Sequence, residues 1–167
     1  LFRSYYATSQ VSNSLTGWSN GAEITVDWLA TPNWRLQLSY SWSRLDMNEY
    51  SNASQQNNAR LLEKSTPRHH GSLRSQWNID SKQQLDLWLR TSAGFERLDA
   101  PYTTTVRVPG YATLDLRYAY RVDKNLEVAL IGRNLLGARR FEYVSDYLAT
   151  VSTAMQPSLM LTSRWTF

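Results

Sequence analysis

The sequence predicts an all-β chain of antiparallel transmembrane β-barrel strands, about seven or eight in number. Three observations predict it: strict alternation of apolar and polar residues, tight turns that alternate with long polar connections, and aromatics gathered toward both strand ends. The chain has 167 residues, no Cys, seven Trp and ten Tyr. It carries a net charge of +4, spread singly apart from Arg139-Arg140, which is not the clustered footprint of a nucleic-acid binder. Without Cys there is no disulfide framework and no thiol chemistry. Mean hydropathy is −0.49, and no apolar run approaches the ~20 residues a membrane helix needs. A barrel strand averages apolar outward positions with polar inward ones, so low hydropathy and abundant aromatics coexist in it.

The first strand, 18–30, places Ala22, Ile24, Val26 and Trp28 on one side and Glu23, Thr25 and Asp27 on the other. Thr31-Pro32-Asn33 turns the chain into 33–46, where Trp34, Leu36, Leu38, Tyr40 and Trp42 oppose Arg35, Gln37, Ser39 and Ser41. A helix would scatter these residues around its circumference. The third strand, 67–79, sets Leu73, Ser75, Trp77 and Ile79 against Arg74, Gln76 and Asn78. After Asp80-Ser81-Lys82, strand 83–97 alternates Leu85, Leu87 and Leu89 with Asp86, Trp88 and Arg90. Strand 110–122 alternates Ala112, Leu114, Leu116, Tyr118 and Tyr120 with Thr113, Asp115, Arg117 and Arg121. Asp123-Lys124-Asn125 leads into 125–136, with Leu126, Val128 and Leu130 on one face and Glu127, Ala129 and Ile131 on the other. The last strand, 157–167, sets Leu159, Leu161, Ser163, Trp165 and Phe167 against Met160, Thr162, Arg164 and Thr166. A weaker pattern near Leu1–Thr8 is the candidate eighth strand. The remaining connections, 9–17, 47–66, 98–109 and 137–156, are long and polar, so the tight turns fall on the periplasmic side and the long loops outside the cell.

A simple register follows. With Ala30 opposite Pro32 and three-residue loops at the other two turns, Trp28 faces Trp34 and Trp77 faces Leu85. On the polar face Asp27 opposes Arg35, Asp115 opposes Arg133, Arg121 opposes Glu127, and Arg74 opposes Trp88. Direct cross-strand charge pairs contribute roughly 0.2–1 kcal/mol each.

The aromatics decide which medium the apolar face meets. Trp28, Trp34, Trp77, Tyr120, Trp165 and Phe167 lie near the tight turns, and Tyr40, Trp42, Phe95 and Tyr111 near the long loops. Val26, Leu36, Leu38, Leu87, Leu116 and Leu130 fill the middle. An aliphatic band between two aromatic girdles fits a bilayer, whereas a soluble β-sandwich would hold aromatics in mid-strand. The other face carries Glu23, Asp27, Arg35, Arg74, Asp86, Arg90, Asp115, Arg117, Glu127, Arg133 and Arg164, a set that needs a wide, solvated lumen.

Several stretches, in order, carry a family resemblance. Val108-Pro109-Gly110-Tyr111-Ala112-Thr113-Leu114-Asp115, Ile131-Gly132-Arg133-Asn134-Leu135-Leu136-Gly137 and Leu161-Thr162-Ser163-Arg164-Trp165-Thr166-Phe167 resemble the C-terminal region of TonB-dependent outer-membrane receptors. Gly21-Ala22-Glu23-Ile24 and Ser65-Thr66-Pro67-Arg68-His69 are weaker echoes, and Gly137 stands where the family often has Asp. The resemblance implies that residues 1–167 form the C-terminal part of a barrel of about 22 strands, with an N-terminal plug and TonB box outside this chain. It also implies uptake of a scarce ligand, commonly a ferric siderophore, driven through TonB. The alternative is a self-contained small outer-membrane barrel with a structural or adhesive role. No secretory leader opens the chain, and a piece of a larger barrel is expected to close on itself, oligomerise or be held by partners.

Site residues are sparse. No nucleophile motif or catalytic set occurs, no cofactor is implied, and the chain is not read as an enzyme. His69 and His70 are adjacent on a strand, point to opposite faces and cannot share a metal. Arg97, Arg107, Arg139, Arg140 and Tyr143 in the outward loops are candidate contacts for an anionic, aromatic chelate, against the plainer reading of solvated loop tips. Arg133-Asn134 reads as structural, with Asn134 satisfying backbone near a strand end. Trp165 and Phe167 fit the signal read by the barrel-assembly machinery, and the expected partners are outer-membrane lipid, that machinery, TonB and the ligand.

Overall fold

The computed structural model describes residues 16–48, 53–98, 105–137, 141–142 and 153–167. Strands β1 (Gly17–Thr31), β2 (Trp34–Met47), β3 (His69–Asn78) and β4 (Gln83–Ser92) follow one another as a meander. Helix α1 (Ala53–Lys64) lies between β2 and β3. Strands β5 (Phe95–Leu98) and β6 (Thr105–Val108) form a small hairpin of their own. The main sheet then continues with β7 (Tyr111–Arg121), β8 (Leu126–Arg133) and β9 (Ser158–Trp165). Each neighbour is antiparallel. The candidate strand near Leu1–Thr8 lies outside the described residues.

The tight turns are built by short polar side chains. Asp80 Oδ1 accepts the backbone N–H of Lys82 at 2.7 Å and of Gln83 at 2.8 Å. Asp123 Oδ1 repeats this with Asn125 at 2.7 Å and Leu126 at 2.9 Å. Each carboxylate satisfies donors that the turn leaves outside the ladder. In the first turn Thr31 Oγ1 donates to Asn33 Oδ1, and Asn33 Nδ2 donates to the carbonyl of Asn78, tying that turn to the end of β3.

The expected registers hold at β3–β4, where Trp77 faces Leu85 and Arg74 faces Trp88, and at β7–β8, where Arg121 faces Glu127. The first hairpin differs. A bulge between Leu29 and Thr31 pairs Thr31 with Trp34, so Trp28 faces Leu36 and Asp27 faces Gln37. Trp34 instead faces Trp77 on β3, ring centroids 6.5 Å apart. The turn closes around two residues, Pro32 and Asn33, which moves the frame by three, and the bulge takes one step back.

Two expected boundaries also change. The single strand 83–97 divides at Ala93-Gly94, and its last part becomes β5. There the Gly94 and Gly110 backbones touch: a Cβ on Gly94 would lie 2.8 Å from the Gly110 nitrogen. The close approach leaves no room for a side chain, so the break is written as glycine. Within the long connection 47–66, α1 is rich in Ala, Gln, Arg, Leu, Glu and Lys, residues that favour helix. Glu63 accepts the Met47 N–H at 2.6 Å, and Lys64 pairs with Glu96 at 3.1 Å, holding the helix to β2 and β5.

No second sheet covers the first among the described residues. The buried apolar residues there are Ala59, Val108, Ala119 and Ala129, all small or medium. The alternating large residues stay uncovered, including Val26 at 42%, Leu73 at 41% and Leu161 at 72% exposure. An interlocked sandwich core is thus absent from the described residues. Among the described residues β1 and β9 each pair on one side, and no pairing there closes the piece on itself, one of the expected outcomes.

Candidate functional site

Period-two geometry sorts the side chains into an apolar face and a charged face. Val26, Leu38, Leu73, Leu89 and Leu114 form one continuous cross-strand row of the apolar face. Toward the tight turns this face carries Trp34, Trp77, Tyr118, Tyr120 and Trp165, and toward the long loops Tyr40 and Trp42. Tyr40 and His69 share a hydrogen bond of 2.7 Å at that upper edge. Two girdle assignments are corrected. Tyr111 pairs with Ser92 in a row with His70 and belongs to the charged face, because its position is odd in the alternation of β7. Phe95 sits in the separate β5–β6 hairpin. His69 and His70 do lie on opposite faces.

On the charged face guanidinium and carboxylate groups are interleaved. Arg35 Nε donates to Asp27 Oδ1 at 2.7 Å, and its Nη2 donates to Oδ2. Arg74 holds Asp86 through two bonds, of 3.0 and 2.5 Å. Arg90 pairs with Asp115 at 2.5 Å, and Arg117 with Glu127 at 2.5 Å. None of these pairs is directly opposed. Arg74 faces Trp88 while its acid sits beside Gln76, and Arg90 faces Thr113 while its acid sits beside Trp88. The expected direct pairs are therefore corrected to diagonals: Arg35 faces Leu29, Glu127 faces Arg121 yet bonds Arg117, and Asp115 bonds Arg90 instead of Arg133. Three of these pairs are diagonals two residues out of register, roughly 7–8 Å apart and within reach of an arginine, while Arg117 reaches Glu127 across four residues.

Trp88 is the aromatic exception on this face. The Arg90 guanidinium lies 4.5 Å from its ring centre and that of Arg74 5.8 Å, while its Nε1 donates to Ser72 Oγ at 3.2 Å. Asp115 does more than pair with Arg90, since its Oδ1 accepts the N–H of Asn134 at 2.8 Å. Asn134 is buried and adopts φ 55°, the left-handed turn that ends β8 before the expected boundary at 136. Asn tolerates that conformation better than most residues. In this contact the Asp115 carboxylate serves the Asn134 backbone, rather than the Asn134 side chain serving a neighbour's as expected.

Arg74, Asp86, Trp88, Arg90, Asp115 and Arg133 line a cleft of about 610 Å³ open to the charged side. At the outer rim, a shallower cleft of about 500 Å³ runs between α1 and the β5–β6 hairpin, lined by Lys64, Arg68, Phe95, Glu96 and Arg107. Arg107 is exposed opposite Glu96, and Arg97 is half-buried opposite Val106. Arg139, Arg140 and Tyr143 lie outside the described residues. Trp165 ends β9 on the apolar face, and Phe167 is fully exposed beyond it. At the opposite rim, the Lys82 N–H bonded to Asp80 holds that carboxyl below its ordinary range, with the Gln83 contacts adding to the effect.

One face built for lipid and one ionic face, joined by short turns, define the wall of an outer-membrane β-barrel. The chain belongs to the family described as TonB dependent receptor-like, beta-barrel, which it matches over residues 3–135. This is a family of transport receptors, not of enzymes, in the outer membrane of Gram-negative bacteria. Solved structures agree in fold. The ferric-catecholate import receptor Fiu of E. coli K12 is similar over 90% of this chain and 21% of its own, with 21% identity and a TM-score of 0.71. The siderophore receptor PiuA of Acinetobacter baumannii is similar over 88% and 21%, with 22% identity and a TM-score of 0.66. The ferric yersiniabactin uptake receptor FyuA of Yersinia pestis is similar over 89% and 23%, with 18% identity and a TM-score of 0.64. The chain thus spans about a fifth of the length of these receptors. No curated protein matches the sequence.

Proposed function

We propose that residues 1–167 are the C-terminal part of the barrel of a TonB-dependent receptor that takes up a scarce ligand, of the ferric siderophore class. The observation that carries this reading is the ion-paired face of β1 to β9 set against a girdled apolar face, in a chain of this family. A wall so rich in charge requires a broad aqueous or protein-filled interior. On this reading the plug and TonB box lie in sequence beyond this chain, and TonB engages the receptor there. Arg97 and Arg107, with Arg139, Arg140 and Tyr143, belong to the outward loops and offer charge and stacking to an anionic chelate. Trp165 and Phe167 serve as the signal for the barrel-assembly machinery, since they form an exposed aromatic end to the last strand.

The test is uptake of iron-55 carried by catecholate, hydroxamate and carboxylate chelators in a strain deleted for the full-length gene. Loss of uptake of one chelate class, restored by the gene and dependent on TonB, is the expected result. Unchanged uptake of every class under iron starvation would overturn the proposal.

A further inference from the structure

Among the described residues, two polar atoms on the charged face have no hydrogen-bond partner although both are withdrawn from solvent: Arg90 Nε and Thr113 Oγ1. Their residues face each other across β4 and β7, and both line the cleft of about 610 Å³. Thr113 is 3% exposed. Arg90 is tethered at its guanidinium end by Asp115 and the Trp88 ring, so it can pivot there without leaving the cleft, and Thr113 is β-branched within a strand. Both atoms can donate a hydrogen bond.

A third donor group stands nearby. Arg133 follows Gly132, which faces Leu116, so it sits on the adjacent strand at the level of Asp115 and lines the same cleft. It is exposed, and among the described residues no carboxylate lies within ion-pair distance of it. Asp115 is already engaged with Arg90 and Asn134. Glu142 also lines the cleft, yet it bonds neither unpartnered atom.

We infer that Arg90, Thr113 and Arg133 form a site for one carboxylate on the inner wall. One oxygen takes the Arg90 Nε–H and the Thr113 hydroxyl after a small rotation of Arg90, and the other meets the Arg133 guanidinium. Unsatisfied buried donors and an unpaired cation in one cleft are together the complement of a single planar oxyanion. The carboxylate comes either from an acidic side chain of a segment lodged in the barrel or from a small carboxylate ligand. The inference rests on this face being luminal, but not on which chelate is transported.

The test uses the full-length receptor in detergent and has two arms. The first is its crystal structure without added ligand. A Glu or Asp carboxylate within hydrogen-bond distance of Thr113 Oγ1 and Arg133 assigns the protein source. The second is calorimetric titration with sodium citrate. Binding that weakens about tenfold in both Thr113→Val and Arg133→Gln, with Arg60→Gln as an unaffected control, assigns the small-ligand source. Water alone at the site in the crystal, together with citrate binding that is absent or equal in all variants, would overturn the inference. Citrate binding is measured without transport, so loss of the uptake reading leaves this result interpretable.

Discussion

Placing an arginine at Leu38 tests the claim that the apolar face meets hydrocarbon. Leu38 lies four residues from the girdle residue Trp34 on the same face, and its neighbours across the ladder are Val26 and Leu73. Four residues at ~3.4 Å each give ~14 Å along the strand, and a strand tilt of ~40° reduces this to a height of ~10 Å. The apolar band of such a barrel is about 25 Å tall, so Leu38 sits near its middle. An Arg there is expected to cost about 2–4 kcal/mol, and one at the girdle residue Tyr120 about 0–1 kcal/mol. The adjacent Ser39 points to the luminal side, where Ser39→Arg should change stability by less than about 0.5 kcal/mol. The assay is equilibrium unfolding in guanidinium chloride of the full-length protein in phospholipid vesicles, followed by Trp fluorescence. Equal costs for Leu38→Arg and Ser39→Arg, or a larger cost at Tyr120 than at Leu38, would refute the lipid assignment.

Further outcomes follow from the charged face, the turns and the last strand. Asp115→Ala should destabilise by about 1–3 kcal/mol because it strands the buried Asn134 N–H, whereas Asp115→Asn, which keeps an acceptor, should cost less; the same unfolding assay ranks them. Asn134→Gly should be near neutral and Asn134→Ala cost about 1 kcal/mol, since only Ala is strained at φ 55°. A double-mutant cycle on Arg74 and Asp86 should give about 0.5–1 kcal/mol, the range of partly exposed pairs. The Asp80 carboxyl is lowered by its turn N–H bonds, so the turn's stabilisation is complete above the ordinary carboxylate range and is lost as pH falls through the lowered value. Carbon-13 titration of Asp80 should show a midpoint below that of an unfolded peptide, and an equal or higher midpoint would contradict the geometry. Deleting Phe167 should reduce the amount of assembled barrel on heat-modifiability gels while leaving the unfolding midpoint of the assembled fraction unchanged.

Much of the fold was legible because lipid and lumen impose a two-residue period that single residues reveal. Trp34 to Trp42 and Tyr111 to Tyr120 declare their strands, and Asp80 and Asp123 declare their turns. What escaped was set by three-dimensional detail. The two-residue Pro32-Asn33 turn and the bulge at Leu29–Thr31 change neither composition nor alternation enough to be seen, yet together they move Trp28 by two places against β2. Diagonal ion pairing depends on sheet twist and arginine length, so Asp27 and Arg35 could be named as partners while their alignment could not. The helix at Ala53–Lys64 lacked a strong apolar stripe, and its anchors, Glu63 to Met47 and Lys64 to Glu96, are tertiary. On the luminal side, Arg133 was visible as a charge, but the unpartnered Thr113 hydroxyl beside it is a property of packing alone.

The interleaved acids and bases also govern what the wall presents to traffic. Arg35, Arg74, Arg90 and Arg117 are each neutralised by an acid on an adjacent strand. A polyanion sliding past them meets paired dipoles, whose field decays faster with distance than that of bare cations. Along these rows the wall thus presents paired dipoles, weaker and shorter-ranged partners for any charged solute than bare cations are.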